Sequence, residues 1–371
     1  MVEMRRFGDF ATFKYGKMPN KKKLSETGKY PVYSGYRYVG YYDEYNTEAN
    51  QIIVVARGVG GTGDVKMTKE RCYLTNLSIS ADIDENIALP EFIYYYYLPH
   101  NLRYLDSGSA QSQITISDLE KVMIPLPSLV EQRAICGYMK VLDRKIEINE
   151  GVNENLLQQA RALFRQWFSV TSSGLYKLSD IADINPETYS PKENWSFVNY
   201  LDTSNITSGT INEVQYIIPS EENLPSRARR ILRKGDVVFS TVRPNQLHYG
   251  IISNPKPNML GSTGFAVIRS KYATMPNEII YLALTESAFV EQMQQLAEQS
   301  VSTFPSIRPA DLDACVLPEP KEDHNDFMET IKAIFNAVAT NNEENQRLAT
   351  LRDTLLPRLM SGELDVSSLD F

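Results

Sequence analysis

The sequence has 371 residues, 42% hydrophobic and 23% charged. That excludes a disordered, collagenous or low-complexity chain and leaves room for two or three domains at roughly 150 residues each. A formal net charge of −8 excludes a uniformly basic coat for nucleic acid, though not local basic patches. Cys72, Cys136 and Cys315 are odd in number and scattered, so neither a disulfide framework nor zinc spacing is expected and a reducing cytoplasm is. Met1 to Phe13 lacks the apolar stretch of a signal peptide, and runs such as Ile52–Ala56 are too short to span a membrane.

Residues 1–125 read as short strands with turn signals. Tyr30-Pro-Val-Tyr33, Tyr38-Val-Gly-Tyr-Tyr42 and Ile52-Ile-Val-Val-Ala56 are strand-like, glycines crowd Arg57 to Gly63, and Ile93 to Leu105 predicts a helix. From Ser128 to Phe168 apolar residues recur at Ile135, Met139, Leu142, Ile146, Leu156, Ala160, Leu163 and Trp167, in steps of four and three. Asn149 and Asn153 fill the two vacant seam positions, and the pattern predicts one long helix. Residues 175–318 return to strand-like texture. Asp323 to Met360 is a second helical stretch, with a seam running from Ile331 through Val338, Asn341, Asn345 and Leu348 to Leu359, and Pro357 is expected to loosen its last turns.

The two halves repeat. Ile114-Thr-Ile-Ser-Asp-Leu119 matches Ile307-Arg-Pro-Ala-Asp-Leu312, Phe7-Gly-Asp-Phe-Ala11 echoes Leu178-Ser-Asp-Ile-Ala182, and Ile52 to Arg57 resembles Val237 to Arg243. A lone amphipathic helix is marginal in water, so the two apolar stripes are expected to pack together, antiparallel. Placing Asn149 against Asn345 and Asn153 against Asn341 gives facing pairs whose residue numbers add to about 494. The same register sets Ile146 on Leu348, Leu156 on Val338 and Ile135 on Leu359. A buried Asn pair costs stability and fixes register. The seam from Ile135 to Trp167 would run about 48 Å at 1.5 Å per residue, more than the ~34 Å of one turn of B-DNA. Two similar globules on such a spacer are suited to reading two separated half-sites. The fold class expected is α+β: two pseudo-repeated α/β globules joined by two long antiparallel helices as a coiled coil, in pseudo-twofold relation.

Several of these segments resemble the specificity subunits of type I restriction–modification systems. They are Ile124-Pro-Leu-Pro-Ser-Leu-Val-Glu-Gln-Arg-Ala-Ile135, Leu142-Asp-Arg-Lys-Ile-Glu147, Ala162-Leu-Phe-Arg-Gln-Trp-Phe168 and Leu351-Arg-Asp-Thr-Leu-Leu-Pro-Arg-Leu-Met-Ser-Gly-Glu-Leu364, together with Tyr30-Pro-Val-Tyr-Ser-Gly35. The start of the second helix departs from that pattern, with Lys321-Glu-Asp-His-Asn325 in place of a Glu-Gln-containing segment. The resemblance implies target recognition domains at 1–127 and 173–320, spacer helices at 128–172 and 321–362, and a tail at 363–371. It implies a non-catalytic reader of a bipartite target on double-stranded DNA. Two methyltransferase subunits would dock on its helices and restriction and motor subunits would join the complex. No cofactor is expected in this chain; S-adenosylmethionine would belong to the methyltransferase partner.

The residues suggest no catalysis of their own. His100, His248 and His324 lie far apart without metal-spaced companions, and no phosphate-binding GxxxxGK occurs. DNA contacts need Lys, Arg and small polar donors on loops. In the first globule the candidates are Lys21 and Lys22, then Arg37, Arg57, Lys66 and Asn76, then the polar loop with Ser109, Gln111 and Gln113. In the second they are Arg227, Arg229 and Arg230, the turn with Arg243, Asn245, Gln246 and His248, and the pairs Ser262, Thr263 and Ser302, Thr303. Arg57 and Arg243 rank first, because both follow a strand at matching places in the repeat. Two competing readings are a scaffold whose globules bind protein or glycan, and an enzyme with an unrecognised site. Apolar patches would favour the first, and a convergent carboxylate or Cys–His pair the second.

Overall fold

The computed structural model describes residues 2–35, 37–58, 61–106, 113–170, 175–300, 305–318 and 325–364. Its contacts divide the chain into two units, residues 1–148 with 344–371, and residues 149–343.

The first unit begins with β1 (Glu3–Arg6), β2 (Ala11–Tyr15), β3 (Tyr30–Ser34), β4 (Arg37–Tyr42), β5 (Ile52–Val55), β6 (Val65–Met67), β7 (Tyr73–Leu74) and β8 (Ser78–Ile83). Helices α1 (Pro90–Tyr97) and α2 (Ile116–Glu120), strand β9 (Met123–Leu126) and the start of α3 (Leu129–Val170) follow. Strands pair in the order β2-β8-β5-β6, antiparallel, with a smaller sheet β4-β3-β7 beside them. The all-buried run of β5 explains its central place. Ile52 and Val54 face the main core with Phe7, Phe92, Ile135, Met139, Leu356 and Leu359, while Ile53 faces Cys72, Leu74 and Tyr33. The globule therefore shares one core with α3 and with residues 344–360 of the C-terminal helix. Asp143 accepts from Arg352 Nη1 at 2.9 Å and from the Tyr95 hydroxyl at 2.8 Å.

The second unit contains β10 (Leu175–Lys177), α4 (Leu178–Ile181), β11 (Ala182–Ile184), β12 (Val198–Leu201), β13 (Ile206–Thr207), β14 (Thr210–Ile211), β15 (Gln215–Ile217), β16 (Ala228–Ile231) and β17 (Val237–Ser240). Then come β18 (Tyr249–Ile251), β19 (Met259–Ser262), β20 (Phe265–Ser270), α5 (Asn277–Leu284), α6 (Ser287–Glu298), β21 (Val316–Pro318) and α7 (Asn325–Met360). Its main sheet is β11-β20-β17-β18 and its second is β15-β12-β19-β16. Trp167 stacks on Phe327 with ring centroids 5.1 Å apart, and Phe164 shares the core with Met328 and Ile331.

The internal repeat is written in main-chain hydrogen bonds. Phe7 N–H donates to Val122 O at 2.8 Å and Leu178 N–H to Cys315 O at 3.1 Å. Ile114 donates to Ala56 O at 3.0 Å and Ile307 to Thr241 O at 2.9 Å. Ala56 donates to Leu77 O, and Thr241 to Gly264 O, both at 2.8 Å. Even the helix starts repeat: the Asp118 carboxylate accepts from Thr115 N–H at 3.0 Å, and the Asp311 carboxylate from Arg308 N–H at 2.7 Å. Within each unit the two long helices run antiparallel, residue 143 beside 352 in the first and 153 beside 341 in the second. The chain is thus the α+β repeat of globule and long helix that its pattern predicted. The long helices are not separate from the globules, since each supplies residues to both cores.

Candidate nucleic-acid interface

The turns at one end of the first main sheet are tied together. Thr75 Oγ1 donates to Ser34 Oγ at 3.2 Å, Ser78 Oγ donates to Gly35 O at 3.2 Å, and Arg57 N–H donates to Leu77 O at 3.2 Å. Gly16 lets this end close: a Cβ there would meet the Thr75 carbonyl oxygen, a main-chain atom that cannot yield. These bonds bring Arg37, Arg57 and Asn76 onto three adjoining turns. Gln113 joins them through its neighbour Ile114, which bonds to Ala56. Arg37 is exposed and Arg57 and Asn76 are half-buried. The Nε of Arg57 is buried with no hydrogen-bond partner among the described residues. An orphaned, charged donor is costly unless a ligand satisfies it.

The equivalent end of the second main sheet carries the same kind of group. Arg243 and Leu247 both adopt left-handed backbone, at φ 47° and 58°, and between them Pro244–Gln246 forms a tight 3-10 turn. That strained turn pushes Arg243, Asn245 and Gln246 into solvent, and Gln294 Oε1 accepts from Asn245 N–H at 3.2 Å to hold it. Next to it, Thr263 N–H donates to Arg227 O at 2.8 Å, so exposed Thr263 and Arg227 stand together. Asn76 and Thr263 precede Leu77 and Gly264, the residues that accept the matching hydrogen bonds. Both units therefore present an arginine turn beside a polar turn on the same sheet edge.

Other candidates stand elsewhere. Lys66 lies within β6 opposite Ile53, away from the turns. Lys21 and Lys22 sit in an exposed 3-10 turn capped by Asn20. Arg229 and Arg230 are half-buried on β16, and burial lowers the Arg230 pKa from its ordinary value. His248 is half-buried, its Nδ1 2.6 Å from Ile206 O, and acts in holding β13. Ser262 is fully buried and accepts from Gly264 N–H at 3.3 Å, so its hydroxyl shapes the turn and reaches no groove. Ser109, Gln111, Ser302, Thr303 and His324 lie outside the described residues. Of the register residues, Asn149 and Asn153 are buried, Asn341 bonds to Asn153, and Asn345 is half-buried in the other unit.

The tyrosines of the second sheets carried no positional signal in the sequence. Tyr38 is 50% exposed on β4 beside Arg37, and Tyr216 is 60% exposed on β15, where it stacks on Phe197. Exposed aromatics beside cations suit stacking on ribose or base edges as well as on protein. A separate four-residue network ties down the other end of the second unit. Arg269 donates to Asp236 Oδ1 at 2.7 Å and to Glu187 Oε1 at 2.7 Å, and Arg233 donates to Glu187 Oε2 at 2.8 Å. The paired guanidiniums lower the Glu187 carboxyl to about 2.

The three cysteines are buried, and burial pushes each thiol up to about 12, which removes them as nucleophiles at neutral pH. Among the described residues no group of three His, Cys, Asp or Glu could hold a metal ion, and no helix is long and apolar enough to cross a membrane.

Residues 1–158 match the family model of the type I restriction modification DNA specificity domain. The type I restriction enzyme HindI specificity subunit of Haemophilus influenzae is 27% identical over 139 residues, covering 37% of this chain and 30% of that one. The MjaIX specificity subunit of Methanocaldococcus jannaschii is 23% identical over 80% of this chain and 74% of its own length. The MjaVIII specificity subunit of the same organism is 21% identical, covering 100% of this chain and 94% of its own. In fold, the chain is similar to the crystal structure of the type I restriction–modification S subunit from M. genitalium, with a TM-score of 0.59 at 18% identity over 97% of this chain and 96% of that one.

Proposed function

We propose that the chain is a specificity subunit of a type I restriction–modification system, which its match to that family's model over residues 1–158 and its likeness to relatives at 21–27% identity support, and that each globule reads one half of a bipartite target on double-stranded DNA. The target recognition domains are residues 1–127 and 173–320, the spacer helices 128–172 and 321–362, and the tail 363–371. The helices serve as spacer and as docking site for two methyltransferase subunits, through which restriction and motor subunits join. Methyl transfer, with S-adenosylmethionine as donor, takes place in those partners, in the cytoplasm.

One observation carries the reading. The same sheet edge in both repeats ends in an arginine turn beside a polar turn, Arg57 with Asn76 and Arg243 with Thr263. Arginine is suited to bidentate bonding with guanine, and Asn or Thr to adenine or to phosphate. Arg37, Gln113, Arg227, Asn245 and Gln246 border these pairs. A net charge of −8 keeps non-specific affinity low, so the partner subunits are expected to supply much of the phosphate contact.

The test is the methylome of cells carrying this chain with its neighbouring methyltransferase, against deletion of this chain alone. A two-part adenine motif should vanish with the deletion, and exchanging residues 173–320 for those of a relative should change one half of it. A motif that survives the deletion, or changes in both halves on exchange, overturns the reading.

A further inference from the structure

The two repeats differ sharply at one place. In the second unit the chain between β12 and β15 makes the β13–β14 hairpin, whereas in the first a tight turn at Gly35 joins the corresponding β3 and β4. The hairpin lies along the outer edge of β18. Ser208 and Gly209 N–H groups donate to the Leu247 and Tyr249 carbonyls, both at 2.8 Å. Ile206 covers Gly250, where an added Cβ would come 2.5 Å from Ile206 Cδ1. By the hairpin a void of about 100 Å³ remains, lined by Ile251 and Tyr281 among others, and a groove of about 240 Å³ that also touches Ile251.

The matching place in the first unit is open. Met67 and Tyr94 occupy the repeat positions of Ile251 and Tyr281, and they line a cleft of about 1180 Å³ between β6, α1 and the first part of α3. β6 is an edge strand, and among the described residues nothing pairs with its outer side. Asp64 O accepts from Val55 and Thr68 N–H donates to Gln51, at 2.9 and 3.0 Å, so the β5 ladder uses alternate residues and the main-chain groups of Val65 and Met67 turn outward. Val65 holds the position of Tyr249, whose outward carbonyl the hairpin caps in the second unit. Val141 and Ile148 on α3 line the same cleft while 56% and 47% exposed. Six Lys and Arg side chains line it against three carboxylates; most of these cations are in ion pairs, and at the rim Lys69 and Lys145 face Glu147 at 3.8 Å and Glu344 at 3.2 Å while their side chains stay 89% and 47% exposed.

From this we infer that the cleft is a docking site for an extended, acidic segment of a partner polypeptide, which adds as a strand to the outer edge of β6. The chain's own hairpin shows what fits this place in the repeat: backbone on the strand edge and small side chains toward the helices. An uncovered edge strand is otherwise a liability that proteins blunt or cover, and strand addition is an established mode of peptide capture. The apolar wall favours a polypeptide over a nucleic-acid backbone, and Lys69 and Lys145 at the rim set the sign of the occupant's charge. The inference rests on the two repeats alone and stands whether or not the chain reads DNA.

The probe is a synthetic peptide of alternating glutamate and valine, titrated into the full chain by calorimetry and followed by amide hydrogen exchange. Saturable one-to-one binding is expected, with new protection at the Val65 and Met67 amides. The Met67→Pro variant removes an outward N–H and spares the β5 ladder, and the double variant Lys69→Glu, Lys145→Glu reverses the rim. Each should weaken binding at least tenfold, and the second stays informative if the first fails to fold. An alternating lysine–valine peptide should not bind. No saturable binding, binding unmoved by the charge reversal, or a DNA duplex protecting the same amides in place of the peptide would each overturn the proposal.

Discussion

Asn153 on α3 accepts from Asn341 Nδ2 at 2.7 Å and donates through its own Nδ2 to Asn342 Oδ1 at 2.9 Å. One buried amide is thereby satisfied by two consecutive amides of α7. Asn153→Ala removes both bonds and leaves the Asn341 amide half-buried without them, which should cost about 1–3 kcal/mol. Urea unfolding followed by near-ultraviolet circular dichroism would read it as a lower midpoint. An unchanged midpoint would mean that the amides gain nothing over water.

The same register makes a sharper prediction. Cysteines replacing Leu156 and Val338, which are half-buried and both within the second unit, should crosslink on mild oxidation. Leu156→Cys combined with Ile331→Cys, about two turns away along α7, should not. Crosslinking of the second pair and not the first would displace the helices by a register step.

Much of this was legible in the sequence because helical periodicity and repeats are local or nearly so. The seam from Ile135 to Trp167, the second seam from Ile331 to Leu359 and the repeated Ile114–Leu119 and Ile307–Leu312 segments follow from spacing alone. What spacing could not give is which exposed residues come together. Arg57, Asn76 and Gln113 are 19 and 37 positions apart and meet through the Arg57–Leu77 and Ile114–Ala56 hydrogen bonds. Ser262 stands beside Thr263 among the polar candidates of the repeat, but the pairing of Ala228 with Ser262 buries it, which the sequence does not show. Lys66 sat among the DNA candidates by composition, yet its strand places it at the β6 edge. The hairpin that separates the two repeats was equally silent, since Ile206–Ile211 is too short to show a period.

The Glu187 network predicts acid sensitivity in the second unit. Arg233 and Arg269 hold the Glu187 carboxyl at about 2, below its ordinary 4.5, so the folded state binds the proton less readily than the unfolded one. The stabilisation is complete above pH 4.5 and is lost as pH falls from there through about 2. Glu187→Gln should lower the melting temperature at pH 6 and flatten its dependence between those values. If the variant and the wild-type chain lose stability in parallel on acidification, the network is not the cause.

Gly250 and Lys66 share a position in the repeat, and only Gly250 should be sensitive to change. Gly250→Ala sets a Cβ 2.5 Å from Ile206 Cδ1 and 3.1 Å from Gly209 Cα, so the hairpin must shift. Overpacking of this kind costs about 1–3 kcal/mol. Lys66→Ala, on an exposed face, should stay within about 0.5 kcal/mol of the wild-type chain. Thermal melts of both variants decide it, and equal effects would mean that the hairpin does not bear on β18.

Arg243 tests whether strain at the strand end serves binding. A left-handed backbone costs a non-glycine residue about 1–2 kcal/mol, and Arg243 adopts it at φ 47° on an exposed turn. Arg243→Gly relieves that strain but gives up some of the gain to the greater entropy of the unfolded chain. The variant should melt at the same temperature or slightly above the wild-type chain. If Arg243 reads a base, the same change should weaken binding of the assembled complex to its target by about 1–3 kcal/mol and relax one half of the motif only. Arg57→Ala should relax the other half. A fall in melting temperature together with weaker binding would point to a structural role for Arg243. Unchanged binding with both halves of the motif intact would remove it from the interface.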